Sequence, residues 1–174
     1  VVVVHHPEDQ DLISQVPAAA RCVEGGTNRD DSVRCALEAL KDQAPDYVLI
    51  HDAARPCLTQ SLISSCIEAM RSHGAASPAV AVQDTLWRCG DTVETIVDRS
   101  GLWRAQTPQC FSYPLICAAH AAATAQATDD VQVVRAMGHS VAIVAGDADN
   151  LKVTVPDDFG RAERILRGRM KLRL

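Results

Sequence analysis

Two hydrophobic patterns alternate along the chain. Continuous apolar runs at residues 1–4, 22–23, 47–50, 78–82 and 141–145 read as strands covered on both faces, with 152–155 as a further late strand. Between them apolar positions recur at helical spacing. Val33, Ala36, Leu37 and Leu40 do so within residues 31–41, and Leu62, Ile63, Cys66, Ile67 and Met70 do so up to Gly74. Residues 115–127 read as an alanine-rich helix, and residues 131–137 as a shorter one ending at Gly138. A last helix is predicted from about 157 to 166, with Thr154 as its cap and the Asp157 carboxylate three residues on. Strand–helix alternation at this spacing predicts βαβ units, an α/β fold and a mostly parallel sheet. Residues 84–106 break the pattern. Thr85-Leu86-Trp87, a turn at Cys89-Gly90-Asp91 and the run 92–97 predict an inserted β-hairpin arm. Both tryptophans, Trp87 and Trp103, fall in it, and exposed apolar hairpins tend to seek a partner surface.

Composition adds limits. The chain has 174 residues, 47% apolar and 22% charged, which suits one ordinary globular domain. A net charge of −5 argues against nucleic acid as the main partner, and no apolar run approaches a membrane span. The basic residues Arg164, Arg167, Arg169, Lys171 and Arg173 read as a helix end or solvated tail, with 167–174 a basic C-terminal tail or the start of a linker. Seven cysteines without a C-x-x-C pair fit reduced thiols in a cytoplasmic protein. The chain opens on a buried-type strand without methionine, which reads as a piece of a longer protein.

In α/β sheets ligands gather outside the carboxyl ends of strands, so the polar residues there carry the candidate chemistry. After residues 47–50 come His51, Asp52, Ala53, Ala54, Arg55 and Pro56. A lone strand-end carboxylate suits Mg²⁺, and Arg55 can fork onto a phosphate. The plainer reading is that Asp52 caps a loop and pairs with Arg55. Gly25-Gly26-Thr27-Asn28-Arg29-Asp30-Asp31-Ser32 leads into a helix, where backbone N–H groups favour an anion. A glycine turn with Asp/Ser capping explains it equally. Thr85, Arg99 and Thr107 bracket the hairpin, as cross-strand pairs or as convergent ligands. Thr128-Asp129-Asp130 is a helix cap, and Lys152 is either a phosphate contact or an exposed lysine. The six histidines lack ligand spacing, and no P-loop, G-x-S-x-G or H-E-x-x-H occurs.

Taken in order, these segments, with Gln106-Thr107-Pro108-Gln109-Cys110-Phe111 and Asp149-Asn150-Leu151-Lys152-Val153-Thr154, resemble the 2-C-methyl-D-erythritol 4-phosphate cytidylyltransferases of the non-mevalonate isoprenoid pathway. The resemblance covers essentially the whole chain, and the stretch from Gly101 to Gln109 is the most specific part. It implies a Rossmann-like nucleotidyltransferase fold over residues 1–166 and a homodimer clasped by the hairpin arm. It also implies Mg²⁺-dependent transfer of CMP from CTP to methylerythritol phosphate. By position, Gly25, Gly26, Arg29, Ser32, Asp52, Ala53 and Lys152 fall on the CTP side. Asp52 would hold Mg²⁺, and Asp52 and Lys152 would act in catalysis. Arg55, Thr107, Thr128 and Lys152 would line the acceptor side, while Thr85 and Arg99 would reach the partner's site.

One departure stands out. The family's opening strand and glycine-rich loop, with their Arg and Lys, are absent from residues 1–174, so a first βα unit is missing. Residues 1–174 alone are therefore expected to be inactive, and less stable for want of a central strand. The rival readings are a ribitol 5-phosphate cytidylyltransferase, one half of a bifunctional protein joined to a cyclodiphosphate synthase, and a non-catalytic dimer scaffold.

Overall fold

A computed structural model describes residues 1–171. Strands β1 (Val2–His5) and β2 (Arg21–Glu24) form a parallel pair, with Val2 opposite Arg21. A short 3-10 turn at Pro7–Asp9 and helix α1 (Gln10–Ile13) connect them. Helix α2 (Arg29–Ala39) starts where the Asn28 side chain accepts the Asp31 N–H. Next come β3 (Tyr47–Ile50), α3 (Gln60–His73) and β4 (Ala75–Ala81). Thr59 Oγ1 caps α3 by accepting the Leu62 N–H, and Gly74 ends it at φ 79°, a left-handed backbone that glycine adopts without a Cβ clash.

Strands β5 (Leu86–Cys89) and β6 (Val93–Val97) pair antiparallel, with an irregularity at Arg88/Cys89. The chain then returns through β7 (Trp103–Ala105) and β8 (Gln109–Ser112), followed by α4 (Tyr113–Ala122), α5 (Asp130–Ala136), β9 (Ala142–Ala145) and α6 (Pro156–Lys171).

The main sheet runs β3-β8-β4, with β9 on the far edge of β4 and β7 extending the lane of β8. It is mixed, which corrects the expectation of a mostly parallel sheet. Strands β4 and β9 are parallel, but β8 lies antiparallel to both β3 and β4. The hairpin is the cause: after the excursion through β5 and β6 the chain re-enters running backwards, between two parallel strands. The β1–β2 ladder shares no strand with this sheet.

The core lies on both faces of the sheet. Val33, Leu37, Val48, Ala75, Phe111, Ile116, Val133 and Val134 cluster on the α2, α4 and α5 side. Leu62, Cys66, Met70, Ala76 and Cys110 cluster under α3. Neighbours in sequence, Ala75 and Ala76 or Cys110 and Phe111, serve opposite faces because strand side chains alternate. Burying a side chain such as Phe111 or Ile116 contributes about 1.5–3 kcal/mol each.

Three element boundaries differ from expectation. Residues 152–155 form no strand: the Thr154 and Val155 N–H groups both donate to Asp158 Oδ2, which ties that backbone to the start of α6. The capping carboxylate is thus Asp158 rather than Asp157. The helix expected over 115–127 starts at Tyr113 and ends at Ala122. Helix α6 continues to Lys171, so Arg167, Arg169 and Lys171 belong to it and not to a tail, while Arg173 lies outside the described residues.

Candidate active site

Strands β3, β4 and β9 run in one direction and β8 in the other. The carboxyl ends of β3 and β9 therefore share an edge with the segment that leads into β8. This topology brings together Asp52, Arg55, Thr107 and Lys152, four of the predicted residues. Lys152 Nζ lies 3.1 Å from Asp52 Oδ2, and Arg55 Nε lies 3.6 Å from the same oxygen. The Asp52 N–H donates to Thr107 Oγ1 at 3.0 Å. Arg55 also donates to the main-chain carbonyls of Asn150 (2.8 Å) and Ala105 (3.3 Å). Burial lowers the Arg55 pKa from its ordinary value, with the Asp52 carboxylate acting against it.

Three residues hold this cluster in shape. His51 Nε2 faces the Arg55 carbonyl at 3.1 Å, so Nε2 carries the proton. Its Nδ1, 2.9 Å from Thr107 Oγ1, must then accept the threonine hydroxyl proton. The Thr107 hydroxyl is thereby fixed, donating to His51 and accepting from Asp52. Asn150, fully buried, donates from Nδ2 to the Thr107 carbonyl at 2.9 Å. Gln106 bonds both Asp147 and Asn150 through Nε2 and accepts the Asp147 N–H. The roles of Gln106 and Asn150 left no local signal, because each joins segments that meet only after folding.

The predicted nucleotide loop is a second, separate group. The Gly26 N–H donates to Ser32 Oγ, which itself donates to the Asn28 carbonyl. A Cβ on Gly26 would meet Asp31 Cβ at 2.1 Å, so only glycine fits there. Gly25 donates its N–H to the His5 carbonyl, beside the end of β1. Arg29 turns inward rather than toward an open anion site, and its Nη2 lies 2.6 Å from Asp130 Oδ2. Asp130 is fully buried and also accepts from His120 Nε2 at 2.9 Å. Burial pushes its pKa up, but the His120 hydrogen bond and the Arg29 charge outweigh that and hold it below the usual carboxylate value.

Gln109 links the two groups. It donates to Asp129 and accepts the Asp130 and Val131 N–H groups, two positions after Thr107. Thr128, by contrast, bonds only Gln132 among the described residues, and Asp129 provides the α5 cap. Thr85 lies just before β5 and Arg99 just after β6, and neither side chain has a hydrogen bond or ion pair among the described residues. Ala53 is exposed beside Asp52. Three cavities of about 270, 240 and 220 Å³ lie around α2, α4 and α5 instead of at Asp52, and none is lined by a predicted site residue.

A carboxylate flanked by lysine and arginine at the strand ends of an α/β sheet, with a glycine loop feeding a helix, is an arrangement able to take phosphate groups. The chain belongs to the 2-C-methyl-D-erythritol 4-phosphate cytidylyltransferase (IspD) family, whose model matches residues 1–168. It is 51% identical over 170 residues to the 2-C-methyl-D-erythritol 4-phosphate cytidylyltransferase of Cereibacter sphaeroides, covering 95% of this chain and 76% of that protein. It is 50% identical to the bifunctional enzyme IspD/IspF of Dinoroseobacter shibae, covering 99% of this chain but 44% of the relative. The chain thus spans under half the length of the bifunctional relatives it matches. The crystal structure of the Thermus thermophilus 2-C-methyl-D-erythritol 4-phosphate cytidylyltransferase superposes with a TM-score of 0.86 at 37% identity, covering 96% of this chain and 82% of that one. All seven cysteines are free, and no described helix is long and apolar enough to cross a membrane.

Proposed function

We propose that this chain carries the metal and acceptor edge of a CTP-dependent cytidylyltransferase acting on 2-C-methyl-D-erythritol 4-phosphate. The observation that carries the reading is the Asp52–Lys152–Arg55 cluster, one carboxylate shared by two cations beyond a strand end. An acceptor phosphate oxygen attacks the α-phosphorus of CTP in line. The new P–O bond forms as the bond to the β-phosphate breaks, and pyrophosphate leaves with the electron pair. Such a reaction calls for positioning and charge neutralisation more than proton transfer, which suits a site built from Asp, Lys, Arg and Thr.

The donor set fits Mg²⁺. The ion pairs of Asp52 run through Oδ2, which leaves Oδ1 without an ion pair among the described residues. No cluster of three metal-ligating side chains occurs among those residues, so a cation here would lean on one carboxylate, phosphate oxygens and water, as Mg²⁺ does. When bound it would neutralise charge on the transferring phosphoryl group. Lys152, half exposed on a flexible stem, pairs with Asp52 and can swing to a phosphate oxygen. Arg55, Thr107 and Thr128 face the acceptor. Gly25, Gly26, Ser32 and Ala53 serve CTP, and Arg29 serves it indirectly by anchoring the loop to Asp130. The β5–β6 arm pairs two copies into a homodimer and carries Thr85 and Arg99 to the partner's site.

The test is a competition of acceptors in the complete gene product that contains residues 1–174. With labelled CTP, the methylerythritol phosphate adduct and pyrophosphate should form together. Preference for ribitol 5-phosphate, or transfer to neither acceptor, would overturn the reading.

A further inference from the structure

Helix α6 runs past the site, and Arg169 near its end is partly buried. Its Nη1 donates to the Cys57 carbonyl and its Nη2 to Asp147 Oδ2 at 3.1 Å, with Asp149 Oδ2 at 3.7 Å. Cys57 closes the loop that begins with Asp52 and Arg55. Asp147 and Asp149 open the loop that delivers Asn150 and Lys152. One guanidinium therefore spans the two segments whose separation sets the Asp52–Lys152 pair.

Helix α6 does not need Arg169 for its own attachment. Ala162 is buried, its carbonyl accepts from Cys57 Sγ, and Asp158 caps the first turn. The guanidinium does something else: it neutralises two carboxylates a few residues from Lys152. Without it, Asp147 and Asp149 would compete with Asp52 for the lysine and repel an incoming phosphate.

We infer that Arg169 is a positioning residue, holding the Asp52–Arg55 loop and the Lys152 loop in register for phosphoryl transfer. The inference rests on the function proposed above, so the experiment reads it in two ways.

In the complete gene product, R169A should lower kcat on the order of 10²-fold while the KM for CTP changes little. Millimolar methylguanidinium should restore much of the lost rate. R167Q, which alters an exposed ion pair with Glu163 on the same helix, should leave the rate unchanged. Independently of turnover, amide exchange in R169A should quicken at Asn150 and Val153, whose N–H groups bond Asp147 and Ala54, but not in β9 or the first turns of α6.

If the wild type transfers CMP and R169A matches it, the inference falls. Exchange that quickens throughout α6 and the sheet makes Arg169 a structural anchor, and the inference falls too. A wild type without transfer, combined with local exchange changes, removes the proposed function while supporting the coupling of the two loops.

Discussion

Lys152 Nζ stands 3.1 Å from Asp52 Oδ2, joining loops that follow β3 and β9, from opposite halves of the chain. The lysine is 48% exposed, so the pair contributes little to folding. K152M should unfold within about 1 kcal/mol of the parent in urea. Cytidylyl transfer should fall on the order of 10²–10³-fold, measured by pyrophosphate release, because a charge aimed at the developing transition state is lost.

Asp130 is the opposite case, a buried carboxylate between His120 and Arg29. D130A leaves the buried His120 Nε2 and the partly exposed Arg29 guanidinium without their shared acceptor and should cost about 1–3 kcal/mol in chemical denaturation. The parent should also show an acid limb that the variant lacks. Asp130 is held below the usual carboxylate value in the fold, so the unfolded chain takes up its proton first as pH falls. The stabilisation is therefore complete above the unfolded value of about 3.9 and is lost as pH drops through the lower folded value. Urea midpoints measured from neutral pH to below pH 4 check this.

Asn150 ties the Lys152 loop to Thr107 by one buried side-chain bond. N150A should cost about 1–3 kcal/mol of stability, because the Thr107 carbonyl loses that donor. The KM for the acceptor should rise as well, since Thr107 leans on this side chain. Denaturation and acceptor titration together separate the two effects.

Gly146 leaves β9 with no room for a side chain. A Cβ there would lie 2.6 Å from Gln106 Oε1 and 2.8 Å from the Ala79 carbonyl. G146A should destabilise by about 1–3 kcal/mol, the usual cost of overpacking, and displace Gln106. Thermal unfolding and the Gln106 side-chain amide resonances would show it.

Trp87 and Ile96 face each other across the hairpin and are both strongly exposed. If the arm pairs two copies, W87K should shift sedimentation toward monomer without changing the far-ultraviolet spectrum. An unchanged mass would remove the arm from the interface.

Most elements were legible because their signals are local. The run 47–50 and the helix ending at Gly74 emerged where periodicity and punctuation placed them. Strand β8 was not, because Gln109-Cys110-Phe111-Ser112 has neither alternation nor a long apolar run, and its place comes from filling the gap between β3 and β4. Strand polarity was missed for the same reason. Among the site residues, Asp52, Arg55, Thr107 and Lys152 were legible as polar residues beside strand ends. Arg29 was read as an anion contact, and its ion pair with Asp130 was not legible because that residue lies far away in sequence.

The sequence by itself determined most of the segments that become strands and helices, several of their ends, and the family to which the chain belongs. Those properties depend on neighbours a few residues apart, or on motifs kept in order. Only the tertiary structure decided that β8 runs backwards, that Arg29 and Arg169 turn inward onto carboxylates, and that His51 and Asn150 hold Thr107. Each of these depends on a hydrogen bond or ion pair between distant residues, and burial, which no local pattern encodes, selects the partner.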